Sequence, residues 1–206
     1  METVALLKPT FGRDTTVHSA LKKRKTVREI GGRKLSAQIL SNLLWSACGV
    51  NRKQGPFGGP GITAASASNS QEIDLYVALE AGIYLYETAH HRLAPVAEGD
   101  FRLFALGQAQ GKTGSRAPVR LIYVVDIMKF STAGYQEPGL KTPETQKAYY
   151  YVDTGLIAGN VYLFAASQGL AAWFHNCNRP ELSRILKLRT DQHVLFGQTV
   201  GYPEKD

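Results

Sequence analysis

The 206-residue sequence predicts an α+β sandwich, and three observations lead there. One long helical stretch runs from Thr142 to Gly169. Apolar runs of strand length recur at 73–80, 83–86, 93–96, 119–125 and 193–200. Helices and strands are mixed without strict alternation, which argues against a doubly wound nucleotide-binding sheet. Hydrophobic residues make up 44% of the chain and charged residues 20%, enough to bury a core as one domain over residues 1–206.

Each element has its own signal. Thr15 or Thr16 can cap a first helix that runs to about Lys25. Ser36 can cap a second, in which Ile39, Leu40, Leu43, Leu44 and Ala47 recur at helical spacing and Gly49 marks the end. Residues 51–70, rich in Gly, Pro, Ser and Ala, are expected to form a long loop. Ile73, Leu75, Val77 and Leu79 alternate as in a strand, and 83–86 with 93–96 suggest a hairpin around 87–91. Asp100 can cap a helix to about Gln110, and 119–125 is apolar enough for a buried strand.

The long helix has Thr142 as N-cap, Pro143 at its first position and Glu144 in its first turn. At about 27 residues it would extend roughly 40 Å. Between Val152 and Ala166 its one charge is Asp153, so it is expected to be buried on most sides. Gly155 and Gly159 share a face that a packed core or a second subunit could approach closely. Asn178 and Pro180 then start a short helix through Leu186, and 193–200 forms the last strand.

Several function classes are set aside. The net charge is +7, but apart from Lys22, Lys23, Arg24, Lys25 and Arg28 the excess is spread, and a duplex would call for a longer basic stripe. Nucleic acid is therefore not expected as a partner. No run of about 18 apolar residues predicts a membrane helix. The N-terminal residues do not read as a secretory signal, and Cys48 and Cys177 read as free thiols, so a cytoplasmic protein is expected. The glycines of 55–61 are interrupted by prolines and follow a helix, unlike a dinucleotide-binding turn; they suggest a loop near a site. Gly111-Lys112-Thr113 ends like a P-loop, but Leu106 stands where the first glycine should be. His90, His91, His175 and Cys177 lack a second pair at metal-ligand spacing, and no nucleophile elbow is present.

The basic cluster carries more. In Arg24-Lys25-Thr26-Val27-Arg28 an extended backbone would send Arg24, Thr26 and Arg28 to one side. Two guanidinium forks and a hydroxyl suit a phosphate monoester; a solvated basic face is the alternative.

With its surroundings, that cluster resembles the FMN-dependent nitroreductase family. The segment is similar to the family's N-terminal phosphate-binding motif, usually Arg-Arg-Ser-x-Arg. A helix ending Leu43-Leu44-Trp45-Ser46-Ala47-Cys48-Gly49 follows. Ala65-Ser66-Ala67-Ser68-Asn69-Ser70-Gln71 resembles the family's Pro-Ser-Ser-x-Asn-x-Gln segment. Residues 151–170 resemble its long central helix, and Val200-Gly201-Tyr202-Pro203 its close. The likeness covers about residues 15–203 and rests on the order and spacing of these motifs. Residues 43–50 and the hairpin residues 82–86 look most like the branch that includes peptide azoline dehydrogenases.

The resemblance implies a three-layer sandwich: a mostly antiparallel sheet flanked by helices, with the long helix at the interface of a homodimer that holds FMN. Arg24, Lys25, Thr26 and Arg28 would hold phosphate and ribityl. Ala65, Ser66, Ala67 and Asn69 would reach the flavin of the other subunit. Asp153 would lie at the ring or ribityl edge, and Phe174, His175 and Asn176 would run past the ring. Family members usually carry a further basic residue after Gly-Tyr-Pro. Here Lys205 could substitute, or Lys25 could carry that load, and Ala65 replaces the usual proline. The implied activity is ping-pong transfer of electrons from NAD(P)H through FMN to a small organic acceptor, with the chemistry at flavin N5 and no catalytic side chain. Alternatives are a flavin-binding sensor or scaffold without turnover, and an azoline-type dehydrogenase acting on a modified peptide.

Overall fold

A computed structural model describes residues 1–10, 16–107 and 116–204. In chain order its elements are β1 (Val4–Ala5), α1 (Val17–Lys23), α2 (Ala37–Cys48), β2 (Val50–Arg52), β3 (Gly61–Ile62), β4 (Ile73–Leu79), β5 (Gly82–Glu87), β6 (Arg92–Glu98), β7 (Val119–Asp126), α3 (Met128–Thr132), α4 (Pro143–Ser167), β8 (Ala171–His175), α5 (Arg179–Ile185) and β9 (Gln192–Gly201). Seven strands form one sheet in the order β1-β6-β5-β4-β7-β9-β8, with every neighbouring pair antiparallel. β2 and β3 form a separate antiparallel pair.

The sheet is buried on both faces, and the period of two in β4 shows how. Leu75 and Val77 pack with Leu43, Leu44 and Ala47 of α2 and Ile157, Val161 and Ala165 of α4. Tyr76 and Ala78 point the other way and pack with Leu182 and Ile185 of α5. Helices thus cover both sides of an antiparallel sheet, the sandwich expected. A one-residue slip of β4 would exchange its two apolar sets between unlike surroundings, which pins the register.

The caps follow the sequence. Thr16, Ser36 and Thr142 accept the amides of Ser19, Ile39 and Thr145 at 3.2, 3.2 and 3.3 Å. Thr15 lies outside the described residues. Gly49 ends α2 for a reason other than left-handed backbone: its φ is −72°, and a Cβ there would lie 2.5 Å from Trp45 Cδ1. Gly169, with φ +66°, turns the chain after α4.

Four expectations are corrected. Residues 51–70 are not plain loop but hold β2, β3 and two 3-10 turns. Asp100 Oδ1 accepts the Arg102 amide at 3.2 Å, but only a 3-10 turn over Arg102–Ala105 follows. The Gly107 amide donates instead to the Asn176 carbonyl, so the chain leaves the helical path; residues 108–110 lie outside the described set. The edge strand β8 was not foreseen. Finally, α4 buries one face only: Thr154, Ile157, Ala158, Val161 and Ala165 are buried, while Tyr151, Val152 and Leu156 are 39, 59 and 44% exposed. A Cβ added at Gly155 or Gly159 would meet nothing within 4 Å among the described residues.

Candidate functional site

The chain leaves α1 and runs extended along the free edge of β8. The Val27 amide donates to the Ala172 carbonyl at 3.0 Å, and fully buried Ile30 bridges to Pro203. This pinning sets the side chains of Arg24, Lys25, Thr26 and Arg28 at the surface. The Arg24 guanidinium lies 5.6 Å from the centre of the Tyr162 ring, and the Thr26 hydroxyl is 3.3 Å from that of Tyr162. Arg28 lies 5.6 Å from the centre of the Trp173 ring. The expected single cluster is thus carried on two neighbouring aromatic supports, one from α4 and one from β8. Lys25 lines a cavity of about 230 Å³ with Lys23, Tyr162 and Gly169. Among the described residues Arg24, Lys25 and Arg28 have no carboxylate partner, so their charge stays available to an anion.

The second part of the site is the turn at 65–71. Ser68, Asn69 and Gln71 all have left-handed backbone, with φ of 50, 55 and 49°. For Ser and Gln this costs roughly 1–2 kcal/mol each, so the turn needs fixing from outside. Ser66 Oγ accepts the Gln71 amide at 3.0 Å, and the Asn69 and Gln71 side-chain amides donate to the Pro60 carbonyl at 3.2 and 2.8 Å. Lys129 Nζ donates to the Gln71 carbonyl at 3.2 Å. Ala65 is exposed, Ser66 and Asn69 are half-buried, and Ala67 is buried.

The Ala67 amide donates to Asp153 Oδ2 at 3.0 Å. The Asp153 side chain is therefore turned into the protein, where it meets Glu72; the two residues are 4% and 0% exposed. Ser70 Oγ donates to Glu72 Oε2 at 2.7 Å. Burial, reinforced by the charge of Asp153, pushes the Glu72 carboxyl up to about 8. Burial also raises Asp153, while the Ala67 amide and the proton donated by Glu72 favour its charged form. Burial thus raises both carboxyls, and the hydrogen bond between them favours the proton on Glu72.

Residues 174–176 divide. Phe174 is half-buried and packs on Phe196 and Tyr123, with ring centres 4.8 and 5.8 Å away. Asn176 is exposed. His175 is buried against Trp173, with ring centres 4.6 Å apart. Its Nδ1–H donates to the Asn176 carbonyl and its Nε2 accepts from the Thr199 hydroxyl, each at 2.8 Å. Burial lowers this imidazole to about 4, so it is neutral and satisfied within the core. Lys205 lies outside the described residues.

Cys48 and Cys177 are free and buried, and burial raises their thiols to about 12 and about 11. Among the described residues no cluster of His, Cys, Asp or Glu could hold a metal ion, and no helix is long and apolar enough to cross a membrane. Sequence reading passed over Tyr162, Trp173 and Glu72. Glu72 had a signal: a carboxylate at the mouth of a strand whose residues are almost all apolar needs a partner.

An antiparallel sheet between helical layers, a basic segment along its edge strand and a strapped turn beside a long helix define the nitroreductase fold. The chain belongs to the nitroreductase family, whose model matches residues 21–202. A candidate nitroreductase of Methanocaldococcus jannaschii is 27% identical over 197 residues, 90% of each chain. A crystal structure of a candidate nitroreductase from Ralstonia eutropha superposes with a TM-score of 0.83 at 29% identity, covering 99% of this chain and 90% of that one. Two more distant structures share the fold. The E. coli microcin synthetase McbBCD complex with truncated pro-MccB17 has a TM-score of 0.70 at 16% identity, covering 98% of this chain and 78% of that one. The NADPH:FMN oxidoreductase of Vibrio harveyi complexed with NAD+ has a TM-score of 0.61 at 16% identity, covering 92% and 69%. Family membership makes this chain a nitroreductase-like oxidoreductase.

Proposed function

We propose that the chain binds FMN at the interface of a homodimer and passes electron pairs from NAD(P)H to a small organic acceptor. The observation that carries this reading is the exposed set Arg24, Lys25 and Arg28, without a carboxylate partner among the described residues, with Arg24 held over Tyr162 and Arg28 over Trp173. Such a set fits a phosphate monoester: guanidinium forks match its oxygens and Thr26 adds a neutral donor. When bound, the flavin supplies the redox chemistry. The protein's own residues bind and orient. Arg24, Lys25, Thr26 and Arg28 hold the phosphate and ribityl end, and Phe174 and Asn176 border the ring. Ala65, Ser66 and Asn69 present the strapped turn to the cofactor of the second subunit, with buried Ala67 anchoring it. The bare flank of α4, where Gly155 and Gly159 leave space, supports a second copy as its cover.

Visible absorption of freshly purified protein tests this reading. A flavin spectrum, with FMN released on denaturation and NADH or NADPH oxidised in the presence of a quinone or nitroaromatic, is expected. A colourless protein that cannot be reconstituted with FMN overturns it. The resemblance of residues 43–50 and 82–86 to the branch with peptide azoline dehydrogenases favours a second reading, dehydrogenation of an azoline in a modified peptide. Turnover with such a peptide and none with quinones would select it.

A further inference from the structure

We infer that Glu72 and Asp153 act as a positioning pair, in which one proton shared between two buried carboxyl groups holds the turn at 65–71 in the strained shape that faces the cofactor. The cofactor-facing role rests on the function proposed above; the proton-dependent clamp does not.

Glu72 carries an orphaned oxygen. The residue is fully buried, its Oε2 accepts from Ser70, and among the described residues its Oε1 has no donor to accept from. A bare acceptor in such a place is costly, but an oxygen carrying a proton is not an acceptor in need. That proton has a destination, the carboxylate of Asp153, which also accepts the Ala67 amide at 3.0 Å. A continuous path therefore runs from Ser70 through Glu72 and Asp153 to Ala67. It begins and ends in the turn whose Ser68 and Asn69 are left-handed. Without it, the strain at these residues has less to oppose it, and the buried Ala67 amide loses its acceptor.

The surroundings single out this pair. Asp153, reaching in from α4, is the charged side chain that raises Glu72. On β4 the next carboxylate, Asp74, is paired with Lys129 of α3 at 2.6 Å. On β7, Asp126 meets Glu72 through its backbone amide, and its own carboxylate is taken by Arg189 at 2.9 Å. Among the described residues no lysine or arginine forms an ion pair with Glu72 or Asp153, so a second ionisation would place two like charges together out of water.

The sign follows. In an opened turn Glu72 would titrate in the ordinary carboxylate range; in the closed turn it titrates near 8. The clamp's contribution is thus complete below the ordinary range, falls as pH rises toward about 8, and levels off above.

Hydrogen exchange of the backbone amides at 64–71, followed in the purified protein from pH 6 to 9, tests the pair without reference to activity. After correction for intrinsic exchange, protection should fall by up to about tenfold per pH unit until pH 8 and then flatten. In Glu72→Gln a fixed amide donates to Asp153, and protection should become independent of pH. Protection that is flat in the wild-type protein, or an unchanged slope in Glu72→Gln, overturns the inference. Should that variant fail to fold, the wild-type slope alone decides. FMN affinity measured over the same range should weaken in step with exchange in the wild type and stay level in Glu72→Gln. An intact exchange slope in a protein that binds no FMN at any pH sinks the flavin assignment and leaves the clamp standing.

Discussion

The Tyr162 hydroxyl accepts the Phe174 backbone amide at 2.8 Å and stands 3.3 Å from the Thr26 hydroxyl. One side chain of α4 therefore ties β8 to the segment that carries the basic cluster. Tyr162→Phe should strip the Phe174 amide of that acceptor, with a loss of about 1 kcal/mol in urea unfolding. FMN binding should weaken several-fold with it, because Thr26 loses the hydroxyl beside it and the β8 edge loosens, while the ring under Arg24 is kept; unchanged affinity would dissociate the Tyr162 hydroxyl from the site.

Arg28→Ala should separate binding from stability. The side chain is exposed and has no carboxylate partner among the described residues, so the midpoint of thermal unfolding should hardly move. A charge-assisted contact to phosphate is worth about 1.5–3 kcal/mol, so the FMN dissociation constant should rise roughly ten- to hundredfold. Fluorescence titration of the apoprotein measures this. Affinity equal to that of the wild type would place the phosphate elsewhere.

The exposed flank of α4 predicts assembly. Val152→Glu and Leu156→Glu put charges on positions 59 and 44% exposed in the single chain, where folding should tolerate them. Sedimentation should show a dimer for the wild type and a monomer for the doubly substituted protein, with circular dichroism preserved and FMN lost. A variant that remains dimeric would assign the subunit contact to another face.

His175 predicts an acid-side loss of stability. Its folded value is about 4, below the usual histidine range, because burial penalises the imidazolium. Between the unfolded value of about 6.5 and 4 the unfolded chain therefore binds more protons. The contribution is complete above about 6.5 and declines as pH falls, by at most about 1.4 kcal/mol per pH unit. Urea unfolding at pH 7 and pH 5, in wild type and His175→Gln, isolates it. An equal decline in both would assign the acid sensitivity to other groups.

What could be read from sequence was what local chemistry decides. Ser36 and Thr142 announced α2 and α4 because a capping oxygen and the amide it accepts lie three residues apart. Ile73, Leu75, Val77 and Leu79 announced β4 because alternation is local too. The motifs of the basic cluster and the 65–71 turn led to the family in the same way. What escaped depends on distant partners. The helix expected after Asp100 gives way because Asn176 takes the Gly107 amide. Five residues at 171–175 become a strand only because β9 is there to pair with them. His175 and Asp153 carried the residue types of a site, but their directions are set by Thr199 and Glu72, and no spacing along the chain reveals that.

The two thiols bear on how such a protein would live with oxidants. With Cys48 near 12 and Cys177 near 11, the reactive thiolate at pH 7 amounts to about one molecule in 10⁵ and 10⁴, and both sulfurs are shielded from solvent. If the proposed flavin is bound, peroxide that it forms in air would find neither of these thiols a quick target. Alkylating reagents would reach these positions at the pace of unfolding, which turns slow iodoacetamide uptake into a clock for how often the native structure opens.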